Sequence, residues 1–484
     1  MDPGFRRDDA FVHRETGMLD VLIRGGTVVS PQASERFDVG VQDGRIVVFA
    51  APNSIDLSAH RVIDAGGKYV VPGGIDAHVH FNVALSPAMR AQSAKPGGRA
   101  AAFGGTTTFI DFALQSNANS LVKAIEDKQA EIKNDKPDVD YALHAMVTGK
   151  TSFEVLDEIP EAISGGVSSF KMFTTFSGAS ASGALFADDG RIWGLMQQTA
   201  KHGGIAMVHC EDDCIIDFCV HKLYREGRQQ APHIHEARPS LCEEAAIMRM
   251  LLLSRRSGSP LYIVHVSSEE GVEAIAEARG KRLPVYGESL HNYLAFSNED
   301  YAKPNGMIYH NYPALKSPKD RAALWEALRS GVLDVASSDD FTIPFAQKTS
   351  GKEVDNAPGG HNGIETRMAY LFSEGVRKGR LTINRYVDVS SAAVAKLFGI
   401  YPRKGAIAIG SDADIVIIDP DLKRTVTLAD LHSDCDYSIW DGWEFHGFPV
   451  MTMVRGNVLV ENGTWTGPEG IGRFVPARSP SEPS

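Results

Sequence analysis

The order of hydrophobic and polar positions along the chain shows two different patterns. From Met18 to about residue 70, short apolar stretches such as VLIRGGTVV alternate with Gly and Asp turns, which predicts short β-strands. The same pattern returns near the C-terminus in GAIAIGSDADIVIIDP and VMTMVRGNVLVENG. We therefore expect one small β-sandwich domain that is formed from both ends of the chain.

The central part of the chain alternates apolar strands with amphipathic helices. Helical stretches such as NSLVKAIEDKQAEIK and PKDRAALWEALRSG separate most of the strands. Eight strand–helix units in succession predict an α/β fold, a (β/α)8 TIM-type barrel. The predicted barrel strands are 74–80, 106–111, 140–147, 168–173, 205–210, 261–267, 283–288 and 333–339.

These patterns predict the domain boundaries. Residues 1–17 mix charges without periodicity and are expected to be a disordered extension. The end of the chain after about Gly467 is rich in Pro, Ser and Gly and is expected to be loose unless a partner subunit holds it. Between these ends, the predicted units are the first part of the β-sandwich at 18–70, the barrel at 71–400, the second part of the sandwich at 401–463 and the tail at 464–484.

Composition and charge exclude several classes of partner. The formal net charge of −12 argues against a nucleic acid or an anionic membrane surface, because both require a basic face. No apolar run approaches the roughly 20 residues of a membrane span, and the N-terminus lacks the apolar core of a signal peptide. Five scattered cysteines do not predict a disulfide framework, so we expect a reducing, cytoplasmic setting.

Polar side chains occur at the C-terminal ends of the predicted barrel strands, where barrel enzymes place their chemistry. His78 and His80 end the first strand and lie two positions apart, so both imidazoles can face one metal. Lys171 lies in the fourth strand, where a buried ammonium without a partner is costly. The fifth, sixth and eighth strands end in His209, His265 and Asp339.

Each of these residues has an ordinary explanation when it is considered alone. A histidine at a strand end is usually a hydrogen-bonded structural residue, Asp339 could cap the following helix, and Lys171 could extend to the surface. Four histidines, a lysine and an aspartate on five strands of one barrel are much less expected by chance. Together they indicate a metal site.

The motifs around these residues resemble the cyclic amidohydrolases of the amidohydrolase superfamily, in particular hydantoinases and dihydropyrimidinases. The resemblance runs from about Met18 to about Gly463, which is nearly the whole chain. The stretches that carry it are PGGIDAHVH (72–80), AAAFGGTTTFIDFALQ (100–115), SSFKMF (168–173), MVHCEDD (207–213), YIVHVSSEE (262–270), YGESLHNYL (286–294), SSDD (337–340), AQK (346–348) and GAIAIGSDADIVIIDP (405–420).

The resemblance implies a binuclear metal centre. In the family, CO2 carbamylates the lysine of the fourth strand, and the carbamate bridges two divalent cations, usually zinc, with manganese or iron as alternatives. Lys171 would therefore be an N6-carboxylysine, whose two oxygens suit two cations that an ammonium would repel. The implied ligands are His78, His80 and Asp339 for one metal and His209 and His265 for the other.

The resemblance also implies a reaction. A metal-bridging hydroxide attacks the ring amide of a cyclic ureide, a hydantoin or a dihydropyrimidine, and yields an N-carbamoyl amino acid. Asp339 would accept the hydroxide proton and pass it to the departing nitrogen. The alternatives are an allantoinase-like cyclic amide hydrolase and a non-catalytic, dihydropyrimidinase-related assembly protein. Dihydroorotase is disfavoured because its usual arginine corresponds to Asn82. Relatives are often tetramers, which implies a homo-oligomer.

Substrate contacts are implied at Ser289, Gly359 and Phe176. The first two would act mainly through the main chain, although the family usually has asparagine at the position of Gly359. Phe176 replaces a tyrosine whose hydroxyl stabilises the oxyanion. The hydroxyl or imidazole groups that could replace it belong to Tyr293, His291 and Thr175. The loop after the first histidine pair also departs from the family, and its apolar residues, expected to sense substrate side chains, are Phe81, Val83 and Leu85.

Overall fold

The computed structural model describes residues 11–12, 18–52, 54, 56–86, 89–115, 120–177 and 185–477. The disordered extension predicted for residues 1–17 lies outside the described residues, apart from Phe11–Val12, which pair with Val48 and Phe49. The end of the predicted tail, residues 478–484, also lies outside them. None of the helices in the described ranges is both long enough and apolar enough to span a bilayer.

The strands are numbered in chain order. They are β1 Phe11–Val12, β2 Leu19–Val29, β3 Ser34–Gln42, β4 Arg45–Ala50, β5 Ala59–Asp64, β6 Tyr69–Pro72, β7 Gly74–Val79, β8 Ala84–Ser86, β9 Met89–Arg90, β10 Thr106–Gln115, β11 Asp140–Val147, β12 Ser169–Phe173, β13 Ile205–His209, β14 Leu261–Ile263, β15 Val285–Leu290, β16 Val335–Ser337, β17 Ile415–Val426, β18 Trp443–Val454, β19 Asn457–Glu461 and β20 Thr464–Trp465.

The α-helices are α1 Ala94–Phe103, α2 Leu121–Asp135, α3 Ile159–Ser164, α4 Asp189–His202, α5 Asp213–Arg225, α6 Ile234–Ala237, α7 Ser240–Ser257, α8 Glu269–Gly280, α9 His291–Ala295, α10 Pro318–Ser330, α11 Phe345–Lys348, α12 Arg367–Tyr370, α13 Ile383–Val387 and α14 Ala393–Leu397. Short 3-10 helices span Phe153–Glu158, Ala231–His233, Asn298–Ala302, Gly306–Tyr309 and Leu428–Asp430. Two π-helical turns, Leu371–Val376 and Asp388–Ala392, continue α12 and α13.

Eight parallel strands form the predicted barrel, which confirms the fold class. They are arranged in the order β7-β10-β11-β12-β13-β14-β15-β16, and a parallel bridge between Val79 and Asp340 joins the last strand to the first. All six residues of β7 are buried, as expected for a parallel strand that is covered on both faces. Phe398 belongs to an apolar cluster of barrel residues, and its ring centre lies 5.2 Å from that of Tyr262.

An irregularity in β7 lies where the histidine pair begins. Asp76 pairs with Phe109 and Val79 pairs with Asp111, so three steps along β7 are matched to two steps along β10. Such a bulge adds a residue to one strand and re-aims the side chains next to it. In β7 the extra residue lies between Asp76 and Val79, immediately beside His78.

The second sheet is built from both chain ends, as the sequence predicts. Its strand order is β1-β4-β3-β2-β6-β17-β18-β19-β20, and β5 pairs with β2. The junction of the two halves is the antiparallel pair of β6 and β17, in which Val71 faces Val416. Ile23, Val70 and Ile415 are fully buried members of one apolar cluster, which joins the N-terminal and C-terminal segments.

The expectation of a loose tail after about Gly467 is wrong for residues 468–477. Val475 is fully buried and its N–H donates to the carbonyl of Tyr141 at 2.7 Å, while the N–H of Tyr141 donates to the carbonyl of Arg473 at 3.0 Å. The Arg99 guanidinium stacks 3.6 Å from the ring centre of Trp465. The sequence did not predict this packing. The segment is held by isolated backbone hydrogen bonds to the barrel, and such bonds leave no periodic pattern in a Pro- and Gly-rich stretch.

Candidate metal centre

The six predicted ligands come from five strands and converge at the C-terminal end of the barrel. His78 lies in β7, Lys171 in β12 and His209 at the end of β13, while His265 and Asp339 lie two residues beyond the ends of β14 and β16. The backbone of His265 has φ +40° and that of Asp339 has φ +53°, a left-handed conformation that non-glycine residues rarely adopt. Such strained residues concentrate at functional sites.

The first group of side chains consists of His78, His80 and Asp339. The Oδ1 atom of Asp339 lies 3.3 Å from Nε2 of His78 and 3.1 Å from Nε2 of His80. The possible ligand atoms of all three residues lie within 4.8 Å of one another. This is the spacing that a single bound cation requires.

The protonation of this first group suits a cation. Burial lowers the pKa of His80 to about 4, although Asp339 opposes the shift, so the imidazole is neutral at pH 7. Burial alone would raise the pKa of Asp339, but His78 and His80 bring it well below its usual range. A neutral imidazole at His80 and an ionised carboxylate at Asp339 are donors of the kind that zinc prefers.

Lys171 lies beside the first group, with Nζ 2.9 Å from Nε2 of His78. The side chain is 1% exposed, and the nitrogen lies 4.6 Å from the ring centre of Phe112 and 4.9 Å from that of Phe173. Burial lowers the pKa of Lys171 to about 8, against the attraction of Asp339 and then Glu288. At pH 7 about a tenth of the amine is therefore uncharged, far more than for an ordinary lysine, and the uncharged amine is the form that reacts with CO2.

The second group is the pair His209 and His265. Nδ1 of His209 lies 3.0 Å from Nε2 of His265. Burial lowers the pKa of His209 and, more strongly, that of His265, so both imidazoles are neutral. Nε2 of His209 is 2.8 Å from Glu211, whose carboxylate can only accept, so the proton lies on Nε2 and the lone pair on Nδ1 faces His265. Two basic nitrogens directed at each other fit a bound cation.

Glu288 supports the first group, a role that the sequence analysis did not assign. Its Oε1 lies 2.8 Å from Nδ1 of His78 and accepts the backbone N–H of His265 at 3.1 Å. Its Oε2 accepts from the hydroxyls of Tyr262 at 3.0 Å and Ser337 at 2.8 Å. Glu288 therefore places the His78 proton on Nδ1 and frees Nε2 for a metal. The one feature of the sequence that could have predicted this role is the position of Glu288 in the C-terminal half of a barrel strand.

Arg238 supports the second group and was also missed. Its Nη1 donates to Oε2 of Glu211 at 2.6 Å, and both side chains are buried. Burial would raise the pKa of Glu211, but Arg238 and His209 lower it to about 2. The chain Arg238–Glu211–His209 keeps Glu211 ionised and the imidazole oriented. Arg238 lies in the connection between α6 and α7, far from any motif in sequence.

Two neighbouring residues have partners outside the metal group. Oδ2 of Asp340 accepts the N–H groups of Gly363 at 2.8 Å and Ile364 at 3.1 Å, so this carboxylate faces the 359–364 loop rather than the histidines. His144 is fully buried, with Nε2 3.0 Å from the carbonyl of Ala77. Its contacts are those of a residue within the barrel core.

The predicted substrate-side residues lie near the second histidine group. The Phe176 ring centre is 5.4 Å from that of His209 and 5.2 Å from that of Tyr312. A Cβ atom at Gly359 would lie 2.5 Å from Cδ2 of Tyr312, so a side chain there requires the tyrosine to move. The Ser289 hydroxyl donates to the carbonyl of Val266 at 2.8 Å.

The groups expected to replace the missing tyrosine hydroxyl all have other partners. The Thr175 hydroxyl donates to Asp213 at 2.7 Å, and the Tyr293 hydroxyl donates to the carbonyl of Pro313 at 2.5 Å. The ring nitrogens of His291 lie 3.3 Å from the carbonyl of Ser337 and 3.3 Å from the hydroxyl of Thr366. None of these bonds is directed at the metal ligands.

The structure corrects the expectation for Phe81. Its side chain is fully buried against Phe109 at 5.0 Å, and a Cβ atom at Gly97 of α1 would overlap its ring, so Phe81 lies between the barrel and α1. Consecutive residues of an extended segment point to opposite sides. Because His80 faces into the barrel, Phe81 faces outward towards α1, which explains the error. Val83 packs near Phe341, while the side chain of Leu85 lies outside the described residues.

Comparison with known proteins identifies the family. Residues 69–459 match the Amidohydrolase family. A D-hydantoinase of Geobacillus stearothermophilus is 38% identical over 459 residues, which cover 94% of this chain and 96% of that protein. A D-phenylhydantoinase of Escherichia coli is 36% identical over 94% of this chain and 98% of that protein.

Solved structures agree with these relatives. The crystal structure of dihydropyrimidinase from Brevibacillus agri is similar to this chain with a TM-score of 0.89 and 34% identity, covering 96% of this chain and 99% of that chain. Family model, relatives and structure each extend over most of the sequence. They confirm the predicted resemblance and the hydrolase class, and the chain belongs to the amidohydrolase family.

Proposed function

We propose that the protein is a binuclear metal-dependent hydrolase that opens the amide bond of a cyclic ureide, a hydantoin or a dihydropyrimidine. The observation that carries the proposal is the convergence of His78, His80, His209 and His265 with Lys171 and Asp339 at one barrel mouth. The names of its relatives, D-hydantoinase and dihydropyrimidinase, support this class of substrate.

The ligand set would hold two divalent cations, and zinc suits it best. His78, His80 and Asp339 would bind one cation and His209 and His265 the other. Lys171, carbamylated by CO2, would bridge them as an N6-carboxylysine. Its buried position next to His78 and the lowered pKa of its amine support this role, because only the neutral amine can react with CO2.

The catalytic steps that belong to the chain centre on Asp339. When bound, the two cations supply an activated water and polarise the amide carbonyl. Asp339 is ionised at neutral pH and would accept the proton of the attacking water, then deliver it to the ring nitrogen as the carbon–nitrogen bond breaks. The ring opens to an N-carbamoyl amino acid, and Asp339 returns to its carboxylate form.

The ring itself would be held at the wall formed by Phe176, Ser289 and Gly359. The hydroxyl of Ser289 is bonded to the main chain, which leaves backbone groups of this segment to contact the ureide. Phe176 would offer an apolar face next to His209 rather than a hydroxyl. A flat ring with alternating N–H and carbonyl groups suits a wall made of backbone groups and one aromatic face.

Assembly and location complete the proposal. Four large apolar side chains on α5 and α7 are exposed, Phe218 by 68%, Leu241 by 54%, Met248 by 57% and Leu252 by 46%, and we propose that they are covered in a homo-oligomer, a tetramer by resemblance. A cytoplasmic location is supported by the five cysteines, all of which are free thiols.

A ring-opening assay tests the function. The metal-loaded protein would be offered hydantoin, 5-substituted hydantoins, dihydrouracil and allantoin, and the N-carbamoyl or ureido product would be measured. We expect turnover of at least one hydantoin or dihydropyrimidine. Turnover of allantoin alone would favour the allantoinase-like alternative, and a fully loaded protein that opens none of these rings would contradict the proposal.

A further inference from the structure

Asn311 contacts the carboxylate that the proposed mechanism uses. It lies between the 3-10 helix Gly306–Tyr309 and α10, it is 4% exposed, and its Nδ2 donates to Oδ2 of Asp339 at 2.9 Å. The other carboxylate oxygen, Oδ1, faces His78 and His80. The two oxygens of Asp339 therefore have separate partners, the imidazoles on one side and Asn311 on the other.

This contact fixes the orientation of the Asn311 amide. An ionised carboxylate only accepts hydrogen bonds, so the NH2 group must face Asp339 and the amide oxygen must face away from it. Within the described ranges, no protein group donates a hydrogen bond to that oxygen. The residue is 4% exposed, so this oxygen can accept a hydrogen bond only from water or from a ligand group that enters the site.

The surroundings of Asn311 place it in the wall of the candidate substrate pocket. The next residue, Tyr312, packs its ring against Phe176 and against the backbone of Gly359. Lys348 is fully buried and donates to the carbonyls of His310 at 2.6 Å and Pro358 at 2.7 Å, which ties the two segments together. Asn311 thus lies where the 310–312 segment passes between Asp339 and the 357–360 segment.

We propose that Oδ1 of Asn311 accepts a hydrogen bond from the N–H of the departing ring nitrogen while Nδ2 holds Asp339. This inference rests on the proposed function. The departing nitrogen is the atom that receives the proton from Asp339, so a side chain bonded to the same carboxylate is adjacent to it. Asn311 is thereby a specificity-determining residue that selects rings with a free N–H over rings alkylated at that nitrogen.

The test combines a change in the protein with a change in the substrate. We would compare Asn311→Leu with the wild type on a hydantoin and on the same hydantoin methylated at the departing nitrogen, measuring kcat/KM, or inhibition constants where turnover is too slow. Methylation should lower kcat/KM in both proteins. We expect the fold decrease to be about 10–100 times larger in the wild type than in Asn311→Leu, because only the wild type has this hydrogen bond to lose.

Each outcome has a separate meaning. An equal effect of methylation in both proteins would overturn the inference, even if Asn311→Leu lowers activity on both rings, because that pattern reflects only the support of Asp339. Asn384→Leu serves as the matched control, since its amide donates to the carbonyl of Ser30 far from the site. A wild type that opens no cyclic ureide would instead contradict the proposed function.

Discussion

Nζ of Lys171 lies 2.9 Å from Nε2 of His78 inside the barrel, and both residues are buried, with at most 1% of their surface exposed to solvent. An ammonium at this place faces the imidazole of His78 and two aromatic rings, so the nearest negative charges are those of Asp339 and Glu288. That environment lowers the pKa of the amine to about 8, and we propose that the uncharged amine is converted to a carbamate. A carbamate at Lys171 would account for a lysine at this buried position, because the carbamate is an anion that two cations would stabilise.

Replacing Lys171 with alanine should abolish two-metal binding and activity. The variant loses the bridging group while the four imidazoles remain, so we expect at most one cation per chain and a fall in kcat of at least about 100-fold. Metal content measured by elemental analysis and ring opening would be recorded on the same sample. Lys319→Ala, on the exposed surface, is the control and should keep both properties.

Full two-metal occupancy of Lys171→Ala without an added carboxylate would refute the bridging role. A second observation is independent of activity. The intact wild-type chain should carry the additional mass of one CO2, and Lys171→Ala should not. A short carboxylic acid supplied to the variant should restore part of the metal content, because it can provide two oxygens in the vacated space.

The Glu211→Gln variant should bind the second cation more weakly. Glu211 holds the proton of His209 on Nε2 and is itself held by Arg238, and such supporting partners usually contribute 10–100-fold in metal affinity. We therefore expect about a 10–100-fold rise in the dissociation constant of one of the two metals, measured by competition with a chelator. Glu226→Gln, which removes a surface pair with Arg228, should leave both affinities unchanged.

The fold could be predicted from the sequence because its signals are periodic. Buried strands alternate with amphipathic helices, and the spacing of His78 and His80 on one strand follows from the two-residue repeat. The supporting residues could not be predicted in the same way. Arg238 and Asn311 lie in irregular segments, and their contacts with Glu211 and Asp339 depend on tertiary packing that no local pattern encodes.

Lys404 should be a main determinant of stability. It is 1% exposed, and its Nζ lies 2.6 Å from Asp140, 2.6 Å from Asp414 and 3.2 Å from Asp412, so it joins the barrel to the C-terminal half of the second sheet. Lys404→Met leaves these carboxylates without their shared cation, and removing one member of a buried ion pair costs about 3–5 kcal/mol. Urea unfolding should show this loss in the free energy of unfolding.

The same cluster predicts a pH dependence in the alkaline range. Burial would lower the pKa of Lys404, but Asp414 and Asp140 raise it to about 12, above the value of about 10.4 in an unfolded chain. Its stabilising contribution is therefore complete below about pH 10 and is lost as the pH rises towards 12. The stability of Lys404→Met should lack this alkaline fall, whereas exposed Lys423→Met should behave as the wild type.

The exposed apolar stripe on α7 predicts an oligomer interface. Met248 and Leu252 lie one helical turn apart and are 57% and 46% exposed, and Leu241 continues the same face. Met248→Glu combined with Leu252→Glu should shift the mass measured by light scattering towards the monomer. Leu422→Glu, at an exposed site of β17, should keep the wild-type mass. An unchanged mass in the double variant would place the interface elsewhere.

The dependence of activity on metal content tests the central claim most directly. The protein would be stripped with a chelator, reloaded stepwise with Zn²⁺ in the presence of bicarbonate, and assayed for ring opening of a hydantoin at each metal-to-chain ratio. We predict no activity in the stripped protein and a rise that reaches its maximum at two Zn²⁺ per chain. Ring opening that persists without metal, or that saturates at one Zn²⁺ per chain, would contradict the proposed binuclear mechanism.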